Sequence, residues 1–273
     1  MPELVLPHAV LAALWLPPVT IAGERSGEVP DQLMEAALRA VAGSDTHVMD
    51  RPDGAVRSLR EMVGRIVGQG VTDVGAVLPV PGHVTGLPGV ALLDAVDAGQ
   101  CLLIRTEGGS WAVVPHVESF GSDLEPGTLV RWVLHPFPFA ERPVPTLLGL
   151  VGSLRQARQE IAKALVTAGE ALEALDLASW RPDVARQAAH LLHDDLSTDL
   201  LPPGLEPARV EVLVRAARLL SIVQLALEDD GGAVLARQGA ARAEVLRGLE
   251  HTARRALAAA SVSHVSGGVV RAR

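Results

Sequence analysis

The chain changes character near residue 140, and this change limits the folds that it can adopt. Residues 1–145 mix short β-like runs, glycine turns and acidic charge, whereas residues 146–273 follow an almost continuous helical period. A proline-rich stretch, residues 135–145, lies between the two parts. Because hydrophobic period is the main sequence signal of secondary structure, the contrast predicts two structural units of different class.

We therefore predict an α+β fold. Residues 1–140 are expected to form a small mixed β-sheet of about four strands with flanking helices. Residues 141–273 are expected to form an antiparallel helical bundle, because four helical segments with short connections suit that architecture. A proline stretch of this length can be a tether or a packed crossing, so one packed domain and two separate domains both remain open.

Apolar runs bounded by turn residues predict the strands of the first part. A short helix at 90–98 lies between the first two strands and gives a β–α–β step. Amphipathic helices are expected at 30–42 and 56–69, and an apolar helix from about Pro7 to Leu16 is expected to end at Pro17-Pro18. The four predicted strands are 74–78, 101–105, 111–114 and 128–134.

Helical spacing is clearest in the second part. Val210, Leu213, Ala217, Leu220, Gln224 and Leu227 recur at intervals of three and four, and Leu246, Leu249, Ala253, Ala256 and Ala260 repeat the pattern. Such spacing also suits helix association between chains. The tail from Ser261 to Arg273 is predicted to be frayed.

Charge and composition exclude several functions. Residues 1–145 hold nine Arg against 17 Asp and Glu, a net charge of −8, so general nucleic-acid binding is disfavoured. Lys163 is the sole lysine, and Tyr and Asn are absent, which is typical of a GC-rich genome rather than of phosphate recognition. The single cysteine, Cys101, begins an apolar run and is predicted to be a buried, inert thiol.

The distribution of apolar residues predicts a cytoplasmic protein without a membrane-spanning segment. No run reaches the roughly 18 uncharged apolar residues that cross a bilayer. Glu3 occupies a position where a signal peptide carries a basic residue, and Pro17-Pro18 interrupts the apolar N-terminal run.

A glycine-rich loop, residues 81–89, is the first candidate site. It follows a strand and precedes a short helix, where backbone N–H groups can bind a phosphate. Gly82, His83, Thr85 and Gly86 are the candidate ligand-binding residues, together with His116 at the end of a later strand. The spacing matches neither a Walker A loop nor a dinucleotide fingerprint, so a plain turn-rich connection is the alternative, and no cofactor is indicated.

The second candidate site is a metal-like cluster of His190, His193 and Asp194. The two histidines share a helix face at a spacing of three, which is close enough to chelate an ion. The alternative is that histidines near a helix C-terminus interact favourably with the helix dipole alone.

Three segments together resemble an uncharacterised family of high-GC actinobacteria: residues 12–16, residues 78–82 with 86–89, and residues 225–234. The resemblance extends along most of the chain and supports a bacterial cytoplasmic protein, but it transfers no activity. We expect a non-enzymatic interaction or scaffold protein, with a protein partner or as a homodimer through the helical part. The alternatives are a protein or enzyme that binds a phosphometabolite or other small ligand at the 81–89 loop, and a metal-dependent hydrolase using His190, His193 and Asp194.

Overall fold

The computed structural model describes residues 4–50, 57–84, 86–122, 125–138, 152–174, 182–228, 236–266 and 269–272. These residues form eight α-helices and eight β-strands, which confirms the α+β class. The helices are α1 (His8–Ser26), α2 (Asp31–Ala42), α3 (Leu59–Val67), α4 (Leu92–Ala98), α5 (Leu154–Ala174), α6 (Pro182–His193), α7 (Pro207–Glu228) and α8 (Ala236–Ser261). The strands are β1 (Thr46–Asp50), β2 (Arg57–Ser58), β3 (Val71–Val77), β4 (Cys101–Thr106), β5 (Gly109–Ser122), β6 (Glu125–Phe137), β7 (Ser263–Ser266) and β8 (Val269–Ala272).

The chain divides into two compact units. The sheet unit comprises Pro7–Val151, Thr198–Leu205 and Ser261–Arg273. The helical unit comprises Met1–Leu6, Gly152–Ser197 and Glu206–Ala260.

The sheet has eight strands in the order β2-β1-β6-β5-β4-β3-β7-β8. It is mixed because β1 runs parallel to β6, whereas every other neighbouring pair is antiparallel. All four predicted strands are present as β3, β4, β5 and β6. The β–α–β expectation was wrong, because β3 and β4 are direct antiparallel neighbours and the chain through α4 returns to the adjacent strand.

The prediction of a frayed tail was also wrong. Strand β7 pairs with β3, and β8 pairs with β7, so the C-terminal residues extend the sheet to its edge. The hydrophobic signal is weak there because the two strands are only four residues long.

Helix α1 does not end at Pro17-Pro18 as predicted, but continues to Ser26. Each proline lacks an N–H, so the Ala13 and Leu14 carbonyls lose their usual intrahelical donors, at a cost of about 3 kcal/mol per proline. Nearly every residue from Ala9 to Ile21 is buried, and α1 packs on β3, β4 and α2. Burial on the sheet offsets the lost helical hydrogen bonds.

The register of β5 and β6 shows that α3 and α4 lie on opposite faces of this two-stranded ribbon. Directly paired residues share a face and successive residues alternate, so Trp111 and Pro136 share one face while Ala112 and His135 share the other. Residues of α3 lie against the Trp111 face, and Asp94 of α4 forms a hydrogen bond with His135 on the opposite face.

Helix α3 begins with a capping box between Ser58 and Glu61.

In the helical unit, α5 and α6 both pack on α7. The predicted face of α8 is buried throughout: Leu246, Leu249, Ala253, Ala256 and Ala260. The buried face of α7 is wider than the predicted stripe and includes Val212, Ala216 and Val223, whereas Gln224 is exposed.

Candidate functional site

Two histidines and an aspartate lie close to a buried tryptophan in the sheet unit. We call these four residues, His8, Asp45, His47 and Trp132, the histidine cluster. His8 is the first residue of α1, Asp45 precedes β1, and His47 lies within β1. One ligand atom from each of His8, Asp45 and His47 lies within 4.8 Å of the others, and the described residues contain no other such group of His, Cys, Asp or Glu. The His8 and His47 rings meet edge-on with centroids 5.1 Å apart.

Hydrogen bonds determine which nitrogen of each imidazole carries the proton. His8 Nδ1 lies 3.0 Å from the Val41 carbonyl oxygen, so Nδ1–H donates and Nε2 keeps a lone pair. The Trp132 indole N–H donates to His47 Nδ1 over 2.9 Å, so the proton of neutral His47 is on Nε2. His47 Nε2 is buried and has no hydrogen-bond partner among the described residues.

Burial keeps both imidazoles neutral. Desolvation lowers the pKa of His8, partly opposed by its bond to Val41 and by the Asp45 charge. Desolvation, with a smaller contribution from His8, lowers the pKa of His47 to about 4. The cluster therefore offers two uncharged imidazoles beside one carboxylate near neutral pH.

A cavity of about 340 Å³ lies on the same face of the sheet, between α3 and strands β1, β5 and β6. We call it the Trp111 pocket. Its size is at the lower end of the range for small-molecule sites. Its apolar walls are Met49, Met62, Ile66, Trp111, Leu134 and Pro136.

Two polar side chains also line the Trp111 pocket. Gln69 Oε1 accepts the Trp111 indole N–H over 3.2 Å and the Thr106 hydroxyl over 3.4 Å, which leaves the amide N–H groups available. Arg65 is exposed, and its guanidinium has no partner in the part of the chain that the structure describes. Apolar walls with a few placed polar groups are typical of ligand sites.

On the opposite face, Asp94 joins two histidines. His116 Nε2 lies 2.7 Å from Asp94 Oδ1, and His135 Nε2 lies 2.6 Å from Oδ2. All three side chains are partly exposed. His116 is thus one of the predicted ligand residues, but its close partners are Asp94 and, through that carboxylate, His135.

The predicted 81–89 loop forms two tight turns. Gly82 is exposed with φ of 85°, Gly86 is buried with φ of 89°, and His83 is exposed and pairs with Val80 through backbone bonds. Thr85 lies outside the described residues. Helix α4, which follows the loop, has only seven residues. Ligand binding by Gly82, His83, Thr85, Gly86 and His116 stays a prediction.

The predicted metal residues lie at the end of α6. His190 is exposed, and its carbonyl accepts the Asp194 N–H over 3.1 Å. The Asp194 carbonyl accepts a hydrogen bond of 2.7 Å from Arg218 of α7. The side chain of His193 lies outside the described residues, so metal binding by His190, His193 and Asp194 stays a prediction.

Cys101 is fully buried in β4, as predicted. Desolvation raises the pKa of its thiol far above the ordinary value, which leaves it uncharged and unreactive.

Models of one protein family match most of the chain. The N-terminal domain of the Rv1486c-like proteins matches residues 10–147, and the C-terminal domain of the same family matches residues 155–258. The chain belongs to the Rv1486c-like proteins, an uncharacterised family, as the resemblance of the three sequence segments predicted. No curated protein and no solved structure matches the chain. Within the described residues, every helix is too short or too polar to cross a bilayer.

Proposed function

We propose that this protein is a cytoplasmic small-molecule binding protein, and that the Trp111 pocket takes an amphipathic anion such as a fatty or aryl carboxylate. One observation carries the proposal: an arginine without a partner among the described residues lines an apolar cavity. This moves the small-ligand alternative from the 81–89 loop to the face of the β5–β6 ribbon that carries Trp111 and Pro136.

Each part of the pocket has a role in this binding. Met62, Ile66 and Leu134 would cover the apolar portion of the ligand, and burial of apolar surface supplies most of the affinity. Arg65 would pair with the carboxylate, because a guanidinium binds two carboxylate oxygens at once. Gln69 would add an amide donor whose orientation Trp111 already determines.

The test is calorimetric titration of the full chain with medium-chain fatty acids and aryl carboxylates, each beside the corresponding neutral alcohol. We expect the acid to bind and the alcohol to bind more weakly. R65Q should weaken acid binding by about tenfold or more, because bonds to a charged group contribute about 1.5–3 kcal/mol. R247Q, at an exposed arginine of α8, is the control and should bind as the parent does. Equal affinity of R65Q and the parent would contradict the proposal.

A second candidate is the predicted interaction protein, in the form of a homodimer. Leu165 and Val166 of α5 are 49% and 63% exposed, and a second copy of the chain would cover them. Light scattering across a wide concentration range tests this candidate. A strict monomer for the parent would remove it, and a dimer that L165E/V166E dissociates would support it.

A further inference from the structure

We propose that His8, Asp45 and His47 bind one divalent transition-metal ion of the Zn²⁺ or Fe²⁺ type, with coordination positions left open. Nothing in the family assigns this site, and it lies outside the residues that the proposed carboxylate would contact. Two imidazole nitrogens and one carboxylate oxygen are a donor set that suits such ions.

The spacing of His8 and Asp45 fits an ion between them. His8 Nε2 and Asp45 Oδ2 are 3.8 Å apart, which is too long for a hydrogen bond. Two ligands each about 2.1 Å from a tetrahedral ion are about 3.4 Å apart, so a small movement would complete the geometry. The Asp45 carboxylate has no hydrogen-bond donor among the described residues, and one negative charge offsets part of the charge of the cation.

His8 is already arranged as a metal ligand. A coordinating imidazole keeps its proton on the other nitrogen, which usually donates to a carbonyl or carboxylate. His8 Nδ1 donates to the Val41 carbonyl, and its free Nε2 lies beside Asp45.

His47 must change its protonated nitrogen before it can bind the ion. Its Nδ1 accepts the Trp132 indole N–H, so Nε2 carries the proton and cannot coordinate in that state. Coordination through Nε2 requires that nitrogen to lose its proton to solvent while Nδ1 takes one up, and an Nδ1–H can no longer accept the Trp132 indole N–H. Metal binding should therefore release the Trp132 indole N–H, although Trp132 is not itself a ligand.

The experiment titrates the full chain, after dialysis against a chelator, with Zn²⁺ by calorimetry and with Co²⁺ by visible absorption. We expect one ion per chain and a Co²⁺ spectrum with nitrogen and oxygen ligands and no thiolate band, because Cys101 is buried. D45N and H8Q should each weaken Zn²⁺ binding at least about tenfold. H190Q, which removes the exposed histidine of the other predicted cluster, should bind as the parent does.

A second measurement keeps the proposal testable if H8Q fails to fold. In a heteronuclear NMR spectrum, Zn²⁺ should shift the Trp132 indole N–H signal, identified by its absence in W132F. The Trp15 indole N–H, which donates to the Leu200 carbonyl over 2.9 Å, should not move. No ion bound at millimolar Zn²⁺, an unmoved Trp132 signal, or binding lost in H190Q but kept in D45N would each overturn the proposal.

Discussion

The Trp132 indole N–H donates to His47 Nδ1 over 2.9 Å, although 85 residues separate the two in the chain. Parallel pairing of β1 with β6 brings them to the same face, with His47 opposite Val130 and Met49 opposite Trp132. Trp132 is fully buried, so its indole N–H depends on this acceptor inside the protein. It attaches β1, which only β2 and β6 border, to the interior of the sheet unit.

Replacement of Trp132 by Phe should therefore lower the free energy of unfolding by about 2–3 kcal/mol. The indole N–H is lost, His47 Nδ1 loses its donor, and the smaller ring leaves unfilled volume. Urea unfolding followed by circular dichroism measures the change. W111F is the control, because Trp111 is only half-buried and its loss should cost less. If W132F and W111F lose the same free energy of unfolding, the Trp132 hydrogen bond does not stabilise the protein more than that of Trp111.

Replacement of Ser261 by Ala should remove a buried hydrogen bond at the edge of β7. The Ala76 N–H donates to Ser261 Oγ over 2.7 Å, and β7 pairs with β3 only at Asp73 and Val74. Beyond those residues β3 needs another acceptor, and Ser261 supplies it. An orphaned buried N–H costs about 1–3 kcal/mol, so S261A should lower the unfolding free energy by that amount. S119A, at an exposed position of β5, should change it by less than about 0.5 kcal/mol. An S261A variant with the unfolding free energy of the parent would contradict this account.

Asp73 is a buried carboxylate that connects three strands. His264 Nδ1 lies 2.7 Å from Oδ1, the Thr72 hydroxyl donates to Oδ2 over 3.1 Å, and Arg105 lies 4.0 Å from Oδ2. D73N should cost about 2 kcal/mol, because bonds to a charged group are the stronger ones. Amide exchange in β7 and β8 should become faster, since only two residue pairs join β7 to β3.

The matched control for D73N is E118Q. Glu118 pairs with Arg131 at 2.8 Å across β5 and β6, but both side chains are close to half exposed. Exposed ion pairs contribute about 0–1 kcal/mol, so E118Q should leave unfolding and exchange almost unchanged. If E118Q destabilises the protein as much as D73N does, burial is not the reason for the effect.

The sequence predicts the parts of this fold that bury a continuous apolar pattern. Strand β4 begins with four apolar residues, 101–104, and the buried stripe of α8 follows a helical period, so both elements were predictable. Strands β2, β7 and β8 have two to four residues, and β2 and β8 form the two edges of the sheet. Short edge strands bury little surface and leave little pattern. The interior prolines of α1 were misleading because local propensity was overridden by burial.

The histidine cluster was not predictable for a different reason. His8 and His47 are 39 positions apart, and no short motif joins them. Their meeting depends on where α1 crosses the sheet and on the parallel pairing of β1 with β6, which no turn signal specifies. His116 was a candidate because it follows a predicted strand, but its partner Asp94 lies in α4, which the sequence does not connect with it. Side-chain clusters of this kind follow from topology rather than from local sequence.

The buried thiol of Cys101 gives a direct probe of the sheet core. Its side chain is fully buried between strands β3 and β5, and burial raises the pKa of the thiol far above its ordinary value. Because only the thiolate is nucleophilic, a disulfide reagent should not modify the native protein even at mildly alkaline pH, but should react at once in strong denaturant. Under native conditions the rate should follow global unfolding, and it should rise in D73N and S261A about tenfold for each 1.4 kcal/mol of lost stability. Rapid modification of the folded parent would show that β4 opens locally, and that the centre of the sheet is less stable than its burial implies.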